Sequence, residues 1–187
     1  MRIIGGIWKK SVLRFPAADD LRPTPDRVRE TLFNWLGQDL HGLACLDLFA
    51  GSGALGFEAA SRNAARVVLV ERDPRSVRAL RDNAARLSAS ALKIVSGDAI
   101  GYLATAKERF DVVFLDPPFR QNLLPEVLGR LPRVLNSGAR AYVEGPAPLE
   151  IAGAQGGWRE LKRGRAGQVS FQLLEWNDDR SGLSGDV

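Results

Sequence analysis

Residues 45–56 read C-L-D-L-F-A-G-S-G-A-L-G: a short apolar run closing on an acid, glycines at 51, 53 and 56, then small residues in helical register. An apolar run this short, bounded by a glycine turn, reads as a strand buried on both faces. The same pattern recurs outward from it. Further strands are expected at Val67–Glu71, Leu92–Val95, Val112–Asp116 and Arg140–Glu144, with Val169–Glu175 later. Between the first two lies the short alanine-rich helix A-L-G-F-E-A-A-S-R, residues 54–62. Between the second and third, Asp73 and Pro74 supply an N-cap and a first helical proline, and Val77, Leu80, Ala84 and Leu87 share one helical face. Parallel neighbours need crossover connections, so the β-α-β-α alternation predicts an α/β, doubly wound, mostly parallel sheet with helices on both faces.

Upstream, Thr24, Pro25 and Asp26 read as a cap, a proline at the first position and an acid in the first turn. They open a helix within residues 23–40 whose Val28, Leu32, Trp35 and Leu36 face one way. Residues 2–15 read as a small β-hairpin. Residues 1–176 are expected to form a single domain, with 1–22 as an extension, and the polar residues 177–187 as a disordered tail.

The 187 residues suit one α/β domain, and 45% hydrophobic with 26% charged is an ordinary globular balance. Cys45 is the only cysteine, which excludes an internal disulfide and a cysteine metal site. It reads as a small core residue. His41, the sole histidine, sits in a polar loop, so a serine-histidine-aspartate arrangement has no convincing base. No signal peptide or membrane-length apolar run is visible, so a cytoplasmic protein is expected. The net charge of +4 gathers at the ends. Residues 1–30 hold seven basic against four acidic side chains, and residues 158–168 hold four against one. Such clusters permit a polyanionic partner, although a solvated face is the plainer alternative.

Two chemistries compete for the glycine loop. Gly51, Gly53 and Gly56 satisfy the G-x-G-x-x-G spacing of a dinucleotide site, and Glu71 lies twenty residues beyond Gly51. A pyrophosphate, however, would face Asp47 immediately upstream. S-adenosylmethionine instead presents an ammonium and a sulfonium that an acid attracts, while Glu71 suits its ribose hydroxyls. Asp98, after the third strand, adds another acid, and in such sheets ligands bind outside the carboxyl ends of the strands. The fourth strand leads into L-D-P-P-F, residues 115–119. Residues before proline are held extended, and prolines keep their carbonyls while lacking N–H donors. Asp116 and Pro117 therefore offer two acceptors in fixed geometry, suited to the hydrogens of an exocyclic amino group, with Pro118 stiffening the loop and Phe119 placed to stack on a base.

On these two motifs the chain resembles the class I S-adenosylmethionine-dependent methyltransferases. Through R-I-I-G-G-I-W, L-R-P-T-P-D-R-V-R-E-T-L-F-N-W-L and A-G-Q-V-S-F-Q-L it is most similar to the RsmD-type 16S ribosomal RNA guanine-N2 methyltransferases. One segment departs: W-K-K-S-V-L stands where that family tends to have W-R-G-R, although Lys9 and Lys10 keep its charge. The D-P-P-F signature alone is shared with adenine-N6 and cytosine-N4 enzymes, so guanine rests on the flanking blocks. The resemblance implies a Rossmann-like fold with a mostly parallel seven-stranded sheet. It implies S-adenosylmethionine as methyl donor, S-adenosylhomocysteine as product and no metal. Phe49, Ala50, Arg72 and Ala99 are implied to join Asp47, Gly51, Gly53, Glu71 and Asp98 around the cofactor. The implied partner is 16S ribosomal RNA within an assembled or late-assembling small subunit, met by a monomer through Arg2, Trp8, Lys9, Lys10, Arg22, Arg27 and Arg165. A nicotinamide oxidoreductase and a non-catalytic RNA-binding module are the competing classes.

Overall fold

The computed structural model describes residues 1–16, 25–118, 122–151 and 157–177. Helix α1 (Asp26–Leu36) precedes strand β1 (Ala44–Asp47), α2 (Ala54–Ser61), β2 (Arg66–Glu71), α3 (Pro74–Arg86), β3 (Leu92–Ser96), α4 (Ala99–Thr105) and β4 (Phe110–Leu115). Helix α5 (Leu124–Arg130) runs into a 3-10 turn at Leu131–Val134, and β5 (Leu135–Gly145), β6 (Trp158–Ala166) and β7 (Val169–Trp176) follow. The seven strands form one sheet in the order β3-β2-β1-β4-β5-β7-β6, parallel from β3 to β5 and antiparallel where β7 pairs with β5 and β6. This is the doubly wound α/β architecture expected. Apolar residues of α1, α2 and α3 share one core with Cys45, Val67, Val112 and Phe114, while α4 and α5 cover the other face over Leu46, Val68 and Val113.

Helix α3 begins where expected: Asp73 accepts from the N–H groups of Arg75 and Ser76, and Pro74 follows. Helix α1 differs. It begins at Asp26, so Pro25 stands at the N-cap in extended geometry rather than inside the first turn, and Thr24 lies outside the described residues. Pro25 caps through its carbonyl, which accepts from Val28 and Arg29. Strand β6 was not expected from the sequence. The expected hairpin at residues 2–15 forms as a short antiparallel pair: around the Arg2–Val12 bridge, Leu13 N–H donates to the Met1 carbonyl at 2.8 Å, Ile3 N–H to the Ser11 carbonyl at 2.9 Å and Lys10 N–H to the Ile3 carbonyl at 2.8 Å. Its turn also gives backbone to α2: Ile7 donates to the Ser61 carbonyl at 2.7 Å and Trp8 to Ser61 Oγ at 2.9 Å.

Glu58, fully buried in α2, fastens this segment and α1 together. Its carboxylate accepts from Ile4 N–H at 2.9 Å and from Arg62 Nε at 3.0 Å, and lies 3.4 Å from Arg29 Nη1. Arg29, also fully buried, reaches on to the Arg2 carbonyl at 2.9 Å. Removing one member of such a group strands the others as uncompensated buried charge. Glu58→Ala is therefore expected to lower the unfolding free energy by about 3–5 kcal/mol in urea titrations. Asp26→Ala, which removes only the exposed end of the network, should cost under about 1 kcal/mol. Equal small losses would show that apolar contacts alone hold the N-terminal segment.

Candidate functional site

The winding of the sheet reverses between β1 and β4, and in sheets of this kind the ligand crevice lies beyond the carboxyl ends of the strands at that point. The glycine loop follows β1, and Asp116-Pro117-Pro118 follows β4. Asp47 is in register with Leu69 and with Phe114, and Phe114 with Tyr142. Laterally paired residues share a face and strands alternate, so Asp47, Glu71 and Glu144 belong to the face that α1, α2 and α3 cover. Five strand ends thus carry acids: Asp47, Glu71, Asp98, Asp116 and Glu144.

Asp47 is buried, and its carboxylate accepts from Gly56 N–H at 3.0 Å. Burial pushes its pKa up to about 7, the amides of Gly56 and Phe49 act in the opposite direction, and neighbouring Glu71 adds to the rise. No cation among the described residues contributes. Half-buried Glu71 accepts from Gly51 N–H at 2.8 Å with one oxygen and from Asp73 N–H at 2.7 Å with the other. One side chain therefore braces both the glycine loop and the start of α3. Gly53 has φ +79°, and a Cβ there would lie 2.6 Å from Leu80 Cδ2 and 2.7 Å from Phe57 Cδ2. At Gly56 a Cβ would meet Leu69 Cγ at 2.9 Å. The second and third glycines thus serve helix packing, and the amides of Gly51 and Gly56 each meet a strand-end acid, Glu71 and Asp47 respectively.

Phe49 and Gly51 are half-buried, Ala50 and Ala99 buried, and Arg72 exposed. Ala50 ties the loop to β2 by donating to the Val70 carbonyl at 3.0 Å. Asp98 is exposed and caps α4, accepting from Gly101 N–H at 2.8 Å. Across the crevice Asp116 is half-buried, Pro117 buried and Pro118 exposed, while Phe119 lies outside the described residues. Behind them Tyr142, fully buried, donates its hydroxyl to Glu144 Oε1 at 2.8 Å. Burial holds the Tyr142 hydroxyl well above the usual phenol range, with Glu144 and then Asp116 acting in the same direction. That coupling puts Asp116, Tyr142 and Glu144 in one electrostatic neighbourhood. The sequence reading missed this pair, although Glu144 closes a strand just as the other acids do.

The basic residues divide. Arg165 lies in β6 beside the turn into β7, opposite Ser170, and Ser170 also pairs with Gly145 at the carboxyl end of β5. Arg165 thus stands at the crevice edge of the sheet. Trp8 is anchored to Ser61, and Lys9 and Lys10 follow it, all beside the end of α2 remote from the glycine loop. Arg2 and Arg27 are exposed at the N-terminal segment and on α1, and Arg22 lies outside the described residues. Cys45 is buried with its thiol pushed up to about 12, first by burial and then by Asp111, and is inert core. His41 is exposed. Among the described residues no group of three or more potential ligands could hold a metal, and no helix is long and apolar enough to cross a membrane.

The chain matches known proteins over nearly its whole length. The family model described as conserved hypothetical protein 95 matches residues 1–175. The chain is 42% identical over 177 residues to ribosomal RNA small subunit methyltransferase D of Escherichia coli K12, covering 94% of this chain and 89% of that protein. It is 39% identical to the protein of the same name from Haemophilus influenzae, over 94% of this chain and 93% of that one. The solved structure of yhhF from Escherichia coli superposes with a TM-score of 0.84 at 40% identity, covering 95% of this chain and 98% of that one.

The state of Asp47 is measurable through stability. The folded carboxyl keeps its proton up to about pH 7, whereas the unfolded one releases it near 4. Between those values the native state binds more protons, so its stability falls as pH rises. Wild type minus Asp47→Asn, followed by urea unfolding, should decline across pH 4 to 7, at up to about 1.4 kcal/mol per pH unit. Parallel curves would show that Asp47 is ionised throughout.

Proposed function

The chain belongs to the conserved hypothetical protein 95 family, and on that premise we propose that it transfers the methyl group of S-adenosylmethionine to the N2 amino group of a guanine in 16S ribosomal RNA. The observation that carries the reading is the pairing, across one topological switch point, of an acid-lined glycine loop with the Asp116-Pro117-Pro118 turn. Relatives at 42% and 39% identity that bear a small-subunit ribosomal RNA methyltransferase name support the same activity.

The donor set fits this cofactor and not a dinucleotide. A phosphate at the loop would need free amides and a local positive field. Here the Gly51 amide is taken by the Glu71 carboxylate, and Asp47 has no cation among the influences on it. A cationic ligand gives Asp47 its missing counter-charge. Each Glu71 oxygen spends one lone pair on a backbone amide and keeps another for a ribose hydroxyl. Phe49, Ala50, Gly51, Gly53, Arg72, Asp98 and Ala99 complete the proposed surround. When bound, S-adenosylmethionine supplies an electrophilic methyl on sulfonium and leaves as S-adenosylhomocysteine.

Asp116 and the Pro117 carbonyl accept the two hydrogens of the guanine amino group. This draws its nitrogen out of conjugation and aims the lone pair along the crevice. As the N–C bond forms and the C–S bond breaks, positive charge develops on that nitrogen, and Asp116 stabilises it before a proton leaves to the carboxylate or to water. Phe119 stacks on the base. Positioning and electrostatics supply the rate, without a dedicated strong base. The guanine has to leave its stack, which favours an unpaired nucleotide in the assembled small subunit. We propose in addition a monomer acting in the cytoplasm; that only Ile7 and Val12 among the described residues are large exposed hydrophobics supports the monomer.

The test supplies tritiated S-adenosylmethionine and small subunits from cells lacking the activity, followed by nucleoside analysis. Label should appear in N2-methylguanosine, and Asp116→Ala should reduce kcat by about 10²- to 10³-fold while cofactor affinity is retained. Label in N6-methyladenosine would move the substrate to adenine, and no label in subunits or naked RNA would favour a non-catalytic RNA-binding module.

A further inference from the structure

Helix α3 carries a charge pattern that fold stability does not explain. Arg75, Arg78, Arg81 and Arg86 are all exposed, against one exposed aspartate on the helix, Asp82. The other charged helices are balanced: α1 exposes Asp26 and Glu30 beside Arg27, and on α5 Arg130 pairs with Glu126 at 2.8 Å. Arg75 lies in the first turn, where the helix dipole disfavours a cation, and no acid offsets it within that turn. Arg75, Arg78 and Arg81 follow one another at i,i+3, the spacing at which like charges repel. Arg75 reaches Asp73 at 3.5 Å, whereas Arg78 and Arg81 have no ion-pair partner among the described residues. A face serving only solubility would mix its signs.

The N-terminal segment extends this face. Asn83, buried in α3, accepts from Arg14 N–H at 3.1 Å and donates to the Arg14 carbonyl at 2.6 Å. Arg86 Nη2 donates to the Val12 carbonyl and to Asn83, leaving its other donors for a ligand. Between segment and helix lies a recess of about 330 Å³, lined by Arg14, Phe15, Ala79, Asp82, Asn83 and Arg86. Residues 72–86 with Arg14 hold six arginines and two aspartates, a net +4, equal to the net charge of the entire chain.

We propose that this face, Arg75, Arg78, Arg81 and Arg86 with Arg14 beside them, is a docking surface for the sugar-phosphate backbone of the RNA that flanks the target nucleotide. The inference rests on the methyltransferase reading and adds to it a binding surface outside the crevice. The geometry suits a single polyanion. Helix α3 starts at the crevice edge, directly after Glu71 and Asp73, and from Arg75 to Arg86 its arginines extend over about 16 Å. It packs on β2 and β3, two to three strand spacings or about 10–15 Å from the end of β4. A chain with one base drawn to Asp116 can therefore lay its neighbouring phosphates along the arginine row. Phe15 adds a ring at the recess for an unpaired base.

The test compares wild type, Arg78→Ala/Arg81→Ala and Arg78→Lys/Arg81→Lys. Binding to unmethylated small subunits and to naked 16S RNA is measured by filter retention over a range of monovalent salt. The alanine pair should weaken binding to both by roughly tenfold or more at 0.1 M salt. It should also make the slope of log K against log salt shallower by about 1.4 to 1.8, two phosphate contacts' worth. The lysine pair should restore most of both effects, and melting temperature and S-adenosylmethionine Kd should stay at wild-type values. Unchanged affinity and slope would overturn the proposal. Weakened binding to subunits alone would also overturn it, because the partner would then be a ribosomal protein. Binding is read without catalysis, so a wild type that methylates nothing would sink the methyltransferase reading while these measurements still judge the surface.

Discussion

Right-handed crossovers between parallel strands are the constraint on which the architecture depends. Moving outward from β1 to β2 and β3 puts α2 and α3 on one face, and returning past β1 to β4 and β5 puts α4 and α5 on the other. The connections leaving β1 and β4 therefore diverge, and the gap between them cannot be filled by either. Chemistry-bearing residues at those two strand ends then converge with no special packing required of them. Asp47 and Asp116 lie 69 positions apart in sequence and one strand apart in the sheet.

Within that gap the electrostatics follow from burial. Asp47 sits in the sheet edge with two amides and a second carboxylate around it, and desolvation outweighs the amides. Glu71 turns its two oxygens to backbone N–H groups, so it shapes the glycine loop as well as lining it. Loop geometry and loop charge are thus set by the same side chains. A ligand that changes the field at Asp47 also acts on a hydrogen bond that orders Gly56 and the start of α2.

Much of this was legible in the sequence for local reasons. Strands β1, β2 and β4 are apolar runs, α3 carries a cap, a proline and a 3.6-residue stripe, and both site loops carry residues whose backbone restrictions are intrinsic. What escaped was set by long-range pairing. Strand β6, with W-R-E-L-K-R-G-R-A, is an edge strand with one neighbour, and its charges suit an edge but hide the period-2 signal. Helices α4 and α5 have seven residues each, too short to display a helical period. Glu58, with Arg62 at i+4, looks like an ordinary helix acid until Arg29 reaches it from α1. The Tyr142–Glu144 contact is local, two residues along β5, but its place beside Asp116 becomes visible only once register sets β5 against β4.

The docking of residues 1–16 also bears on how the protein is made. Every fastening of this segment lies downstream: Ile4 awaits Glu58, Trp8 awaits Ser61, and Arg14 awaits Asn83. At translation speeds of about 5–20 residues per second, the early chain waits on the order of 3–15 seconds before α3 has been synthesised. During that interval Ile3 and Leu13, at most 1% exposed in the finished fold, have no native surface to cover them. The segment thus emerges before the helices it fastens to, which makes it a natural client of whatever holds nascent chains near the ribosome.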